Sequence, residues 1–210
     1  MSLTEPRTAP RRYRSRRRAQ QAEQTRADVL AAAVELFAEH GWAATTITAV
    51  AERTGVVAET VYRIFGSKKE LLRQAFQVTI VGDAAPVPLA DRDEMQPIVA
   101  GPPEQRARAA ATELVTVYRD RRLAAVWAAV LEAAAGDPGI AIWRDEEEQR
   151  RLTTVKVFLD ALGHPRDDAL ADTFWLISSP EAYLKLTTQR GWTAEQWIDW
   201  VFTTIEHLST

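Results

Sequence analysis

The strongest constraint on the fold is a pair of short helical segments joined by a glycine between residues 45 and 65. Apolar residues follow helical spacing on both sides of Gly55, and Thr46 precedes the first segment as an N-cap. These signals predict one helix over about 47–54 and a second over about 58–64. Two short helices with a tight turn between them form the helix-turn-helix with which many proteins read DNA.

A longer helix is predicted immediately before this pair. It is expected to open at Thr25, with Asp28 three residues later as a capping-box partner. Gly41 is expected to end it, and Trp42 is then placed to fold back onto Phe37. The pair thus becomes part of a three-helix unit.

The rest of the chain is predicted to be helical as well. Ser67 caps a fourth helix from Lys68 to about Ile80, and the proline-rich segment Gly82–Pro103 is a predicted linker. Further helices are predicted at about 104–118, 121–135, 139–162, 167–178, 180–189 and 193–208.

No segment alternates with period two, so the predicted fold class is all-α. It comprises a helix-turn-helix DNA-binding domain over 23–81, with its fourth helix as connector, and the linker over 82–103. A second, larger helical domain is predicted over 104–210.

The two ends of the chain differ in charge. Residues 1–26 hold eight arginines against Glu5 and Glu23, which gives them a net charge of +6. Because the formal charge of the whole chain is −3, the other residues carry −9. Residues 1–22 lack apolar periodicity and are predicted to be a disordered basic arm. Such an arm could lie along DNA or could only aid solubility. Its candidate DNA contacts are Arg11, Arg12, Arg14, Arg16, Arg17 and Arg18.

Several classes of function lack support in the sequence. Cysteine is absent, the three histidines are scattered, and no glycine-rich phosphate loop or nucleophile elbow occurs. We therefore expect no catalytic residue, metal or cofactor. The acidic run 145–148, followed by Arg150 and Arg151, is predicted to be a solvated helix face with charge pairs. No apolar run approaches membrane-spanning length, and a cytoplasmic location without membrane contact is expected.

Several separate stretches resemble the TetR family of transcriptional regulators at the family's spacing. The resemblance covers about residues 25–76, a quarter of the chain. The stretches are Leu36–Trp42, Thr45–Ile47, Val50–Val56, Thr60–Phe65 and Ser67–Leu72.

The resemblance implies a homodimer that presents its third helix to the major groove of a palindromic DNA operator. It also implies that the large helical domain binds a small molecule that releases the DNA. The family's DNA-contact positions fall on Thr46, Thr48, Val57, Ala58, Glu59, Thr60, Tyr62, Arg63 and Lys68.

At positions 57–59 the chain departs from its relatives, which often carry a polar or basic residue there. Val57 and Ala58 can make only apolar contacts, for example with a thymine methyl group, and Glu59 can accept from cytosine N4. Few direct hydrogen bonds to bases remain for the third helix. Affinity is therefore expected to depend on backbone contacts and on the arm.

Aromatic and apolar side chains beyond residue 104 suggest two further sites. Any one of the pocket residues is more often ordinary core than pocket wall, and the seam residues could instead pack only within the subunit. The candidate lining of an apolar ligand pocket is Tyr118, Trp127, Trp143, Phe158 and Trp175. The candidate dimer seam is Leu170, Phe174, Ile177, Trp197, Trp200, Val201 and Ile205.

The sequence therefore predicts a ligand-responsive regulator, and a repressor is expected. One alternative is a helical ligand-binding protein or small enzyme with no DNA role. Another is a DNA-binding protein without ligand control.

Overall fold

The computed structural model describes residues 11–82, 93, 96–120, 122–161, 163 and 168–208, and within these residues there are helices and no strands. The all-α prediction is confirmed. In chain order the helices are α1 (Arg11–Ala44), α2 (Ile47–Thr54), α3 (Ala58–Phe65), α4 (Lys68–Val81), α5 (Gln96–Val99), α6 (Pro103–Asp120), α7 (Leu123–Gly136), α8 (Pro138–Ala161), α9 (Asp168–Ile177), α10 (Pro180–Leu184) and α11 (Ala194–Leu208).

The start of α1 differs from the prediction. The helix already runs from Arg11, so the part of the predicted disordered arm that the structure describes is helical. Thr25 is not a cap, because its hydroxyl donates to the carbonyl oxygen of Gln21 inside the helix at 2.8 Å. Arginine, alanine and glutamine are good helix formers, but the exposed side chains at 16–24 provide no apolar stripe that periodicity could detect. Residues 1–10 lie outside the described part.

The three helices after α1 lie where the sequence predicts them. Thr46 caps α2 by accepting from the Ala49 amide at 3.0 Å, and Ser67 caps α4 by accepting from the Glu70 amide at 3.2 Å. Trp42 stacks on Phe37 with ring centroids 6.2 Å apart, as expected from the break at Gly41. The fully buried centre of this unit consists of Val29, Ala33, Phe37, Val50, Val61, Leu71 and Leu72.

The larger domain packs directly onto this unit. The buried helix α7 contacts α1, α4, α8 and α10, and one continuous apolar core extends from α1 to α11. The predicted linker is only partly a linker, because α5 lies within it and buries Ile98. The helix predicted over 180–189 is α10 followed by a π-helical turn, Lys185–Gln189. No helix in the described ranges is long and apolar enough to cross a membrane.

Candidate DNA interface and ligand cavity

The turn between α2 and α3 is built by local hydrogen bonds. Gly55 adopts a left-handed conformation with φ of 69° and donates its amide to the carbonyl oxygen of Glu52 at 3.3 Å. The next amide, of Val56, donates to Ala51 at 3.0 Å. This pair of bonds is a Schellman motif, which reverses the chain within two residues. It sets the angle at which α3 leaves α2.

Helix α3 has one buried and one exposed face. Val61 and Phe65 are buried, whereas Val57 is 64% exposed and Tyr62 is 52% exposed. Glu59 and Arg63 are also exposed, and Ala58 and Thr60 are half-buried. The predicted DNA-contact residues of α3 therefore lie on or beside its solvent face.

Two threonines of the preceding helix are also accessible. Thr46 and Thr48 are exposed at the first turn of α2. The Thr46 oxygen accepts the capping bond, so its hydroxyl hydrogen stays available for a phosphate oxygen. Both cap and contact are compatible with this geometry.

Lys68 is turned toward the protein. Its amine donates to the carbonyl oxygen of Trp42 at 2.5 Å and lies 3.9 Å from the centroid of the Trp42 ring. Burial lowers the pKa of Lys68, an effect that the nearby Glu132 carboxylate opposes. A phosphate contact by Lys68 would have to compete with these interactions.

The basic arm extends α1 beyond the three-helix unit. Arg16, Arg17 and Arg18 are exposed, and Arg11, Arg12 and Arg14 belong to the same helix. A helical arm presents arginines at fixed spacing, which differs from the disordered arm that the composition predicts.

A cavity of about 770 Å³ lies among α4, α6, α7, α8, α9 and α11. This volume falls in the range typical of small-molecule sites. Its aromatic wall consists of Phe76, Tyr118, Trp127, Phe158, Phe174 and Phe202.

Three of the five predicted pocket residues, Tyr118, Trp127 and Phe158, lie in this wall. Trp143 and Trp175 do not, and the prediction is corrected for both. Trp143 packs edge-on against Phe76 with ring centroids 5.7 Å apart. Trp175 packs beneath the guanidinium of Arg151, 4.9 Å from its ring centroid. Helical spacing cannot distinguish a cavity wall from the core behind it.

A buried carboxylate adds polarity to the cavity. Glu147, only 8% exposed, accepts from Gln77 of α4 at 3.0 Å, from the Trp143 indole at 2.8 Å and from Arg150 at 2.6 Å. The predicted charge pairs of the acidic run exist, since Arg151 also pairs with Glu148. The predicted solvation is wrong for Glu147, because α8 turns it toward α4. The three-residue spacing between Glu147 and Arg150 indicates the ion pair but does not indicate that Glu147 is buried.

Tyr118 provides a second polar atom in the wall. Its hydroxyl donates to the carbonyl oxygen of Ser178 at 2.7 Å, and burial raises its pKa far above the ordinary value. The hydroxyl therefore stays protonated and directed at Ser178, while its oxygen can still accept a hydrogen bond.

The predicted dimer seam is largely internal to the subunit. Phe174 packs between Phe158 and Phe202 at centroid distances of 5.3 and 6.1 Å. Ile177 is half-buried, and only Trp200 keeps substantial exposure, at 37%. The prediction is corrected for the residues whose apolar stripe faces the subunit's own core: Leu170, Phe174, Trp197, Val201 and Ile205.

An exposed helix-turn-helix at one end and a ligand-sized cavity behind it are the arrangement expected of a DNA-binding regulator. Residues 29–75, which begin within α1 and end within α4, match the model of the bacterial regulatory proteins of the tetR family. The N-terminal domain of the chain is thus of the tetR type.

The fold beyond the matched residues also has a solved counterpart. The crystal structure of a transcriptional regulator from Rhodococcus sp. Rha1 superposes with a TM-score of 0.62, over 86% of this chain and 93% of that one. The two sequences are 22% identical, so the likeness concerns the fold. No curated protein matches the chain.

Proposed function

We propose that this regulator is a repressor that binds a palindromic operator as a homodimer and leaves it when an apolar small molecule occupies the cavity. The observation that carries the proposal is that α4 both adjoins the helix-turn-helix and lines the cavity. This helix follows α3 after only two residues, and its Phe76, Gln77, Ile80 and Val81 line the cavity. An occupant of the cavity would therefore touch the element that holds the DNA-reading helix.

On the DNA side, the exposed face of α3 supports groove binding with few base contacts. Val57 suits a thymine methyl group, and Glu59 suits the amino group of cytosine. Thr46, Thr48, Thr60, Tyr62 and Arg63, with Lys68 and the arginines of the arm, are proposed to contact the backbone. Backbone contacts supply affinity and register without sequence information.

On the ligand side, the wall favours a largely apolar, aromatic molecule. Six aromatic side chains offer broad faces, and the charged groups Glu147 and Glu148 are already paired with Arg150 and Arg151. A ligand charge that approaches these four groups would have to break one of the two pairs. A polar atom that donates to the Tyr118 oxygen is compatible with the site.

Release follows from differential binding. A ligand shifts the protein toward a DNA-incompetent form only if it binds that form more tightly. Filling the space beside Phe76, which packs 5.0 Å from Trp127, displaces α4 relative to α7. A displacement of α4 changes the separation of the two α3 helices in a dimer, which must lie about 34 Å apart to read one face of DNA.

The test begins with two samples of duplex: DNA that flanks the coding region, and a duplex selected from a random library by the chain itself. Binding that survives excess heparin supports a specific DNA role, whereas equal binding to any polyanion contradicts it. An apolar compound library is then screened by thermal shift. A compound that raises Tm and weakens duplex binding supports ligand release.

The same experiment separates the alternatives. Compounds that stabilise the chain without any duplex preference would indicate a ligand-binding protein or enzyme outside transcription. Duplex binding that no stabilising compound weakens would indicate a DNA-binding protein without ligand control. We propose that the chain acts in the cytoplasm and by binding alone, without catalysis.

A further inference from the structure

Glu132 of α7 holds the end of α1 from outside the DNA-binding domain. Its two carboxylate oxygens accept from the backbone amides of Trp42 at 2.7 Å and Ala43 at 3.1 Å. These amides begin the short helical turn that follows Gly41. Bidentate acceptance of two amides by a carboxylate is a charge-assisted cap, supplied here by a residue about ninety positions away in sequence.

Gly41 is required for this approach. Its φ is 72°, and a β-carbon placed on it would lie 2.7 Å from the Glu132 carboxylate oxygen. The backbone conformation disfavours a side chain at position 41, and a β-carbon there would also push the Glu132 carboxylate away from its two amides. The glycine that the sequence identifies as a helix terminator therefore also makes room for Glu132.

Lys68 holds the same residue through its carbonyl group. The Trp42 amide is bound by α7 through Glu132, and the Trp42 carbonyl is bound by α4 through Lys68 at 2.5 Å. Trp42 is thus fixed by α7 and α4, and both of these helices also line the cavity.

The position of Trp42 determines where α2 begins. The Thr45 hydroxyl shares its single hydrogen between the carbonyl oxygens of Leu36, at 2.9 Å, and Gly41, at 2.8 Å, and Thr46 then caps α2. Only three residues separate Trp42 from Thr46. A shift of the turn is therefore carried into the first turn of α2 and its exposed threonines.

At its other end, α7 contributes Leu123 and Trp127 to the cavity wall. Trp127 lies five residues before Glu132, about 7.5 Å along a rigid helix. A cavity occupant that pushes on Trp127 moves Glu132 with it.

We propose that Glu132 is a positioning residue that transmits the state of the cavity to the start of the helix-turn-helix through the Trp42–Ala43 amides. The inference rests on the proposed ligand response. It adds a route through α7 to the direct contact of the cavity with α4.

The test compares Glu132→Ala and Glu132→Gln with the control Asp137→Asn. The control weakens the ion pair of Asp137 with Lys69, another contact between the larger domain and α4, without touching Trp42. We expect Glu132→Ala to speed amide exchange at Trp42 and Ala43 at least tenfold and to weaken binding to the selected duplex about tenfold. Glu132→Gln, which keeps one acceptor, should fall in between, and Asp137→Asn should change neither quantity more than twofold.

Transmission is tested without knowledge of the ligand by filling the cavity. Ala110→Trp, or Thr154→Trp at the cavity rim if the first fails to fold, is combined with Glu132→Ala in a double-mutant cycle. We expect the filled variant to change exchange at Trp42 and Ala43 severalfold when Glu132 is present and not when it is alanine. Additive effects would overturn the inference.

Amide exchange and duplex binding together distinguish a failure of this inference from a failure of the proposed function. Loss of thermal stability in Glu132→Ala, with unchanged exchange at both amides in the folded protein, would leave Glu132 a purely structural contact and overturn the inference. Absence of any duplex preference in the unsubstituted chain would instead overturn the proposed function, while the exchange cycle still decides whether Glu132 senses the cavity.

Discussion

Tyr62 and Lys68 are both candidates for phosphate contact, but their polar ends are used differently. The Tyr62 side chain is 52% exposed, and its hydroxyl makes no hydrogen bond to any described residue. The Lys68 amine is bound to Trp42. Family position alone treats the two residues alike, whereas the structure makes only Tyr62 freely available.

Tyr62→Phe removes only the hydroxyl. Loss of one hydrogen bond of about 0.5–1.5 kcal/mol should weaken binding to the selected duplex roughly twofold to tenfold. Tm should not change, because the ring stays in place. Fluorescence anisotropy and calorimetry measure the two quantities. Unchanged affinity would remove Tyr62 from the proposed interface.

Lys68→Met keeps the apolar stem on the Trp42 ring and removes the charge. If Lys68 neutralises a phosphate, the slope of log affinity against log salt should fall by about 1. Lys69→Met is the matched control, because Lys69 is exposed and paired with Asp137. An equal slope in both variants and in the original chain would mean that Lys68 serves only to hold Trp42.

At the scale of elements, the short helices are determined by local chemistry and the long one is not. The bounds of α2 and the start of α4 follow from Thr46 and Ser67, whose caps involve residues within one turn. The start of α1 lies earlier than the sequence predicts, because an exposed helix without an apolar face gives no periodic signal. Only the high helix propensity of its arginine, alanine and glutamine residues indicates that this segment is helical.

The arginines of the helical arm are expected to contribute to duplex affinity through their charge. Deleting residues 1–19 should weaken binding to the selected duplex and reduce its salt dependence, because phosphate contacts are lost. Replacing Arg16, Arg17 and Arg18 with glutamine should have the same direction of effect, since glutamine preserves helix propensity and removes three charges. Anisotropy titrations over a salt series measure both. If the deletion leaves affinity and slope intact, the arm has no DNA role.

At the scale of the whole molecule, the surface available to a second copy differs from the predicted seam. The inner stripes of α9 and α11 are buried, so a dimer that forms through these two helices would use their outer faces. Large apolar side chains remain exposed there: Leu176, Trp200 and Leu208. Scattered exposed apolar residues are common on monomers, so association itself has to be measured.

Leu176→Asp and Trp200→Asp should convert a dimer to a monomer in sedimentation experiments and reduce duplex binding steeply, because one subunit reads only one half-site. Ile142→Asp is the control, since Ile142 is about as exposed as Leu176 but lies on α8. Folding is checked by Tm. A chain that stays dimeric in both variants would contradict this placement of the interface.

The sequence by itself determined the helix-turn-helix, because caps, a left-handed glycine and a short apolar repeat act within a few residues of one another. Tertiary structure decided which aromatic residues face the cavity, that Glu147 is buried against α4, and that Glu132 caps the turn at Trp42. Those features join residues tens of positions apart, and no local spacing encodes which helix faces meet. Only packing of the whole core selects them.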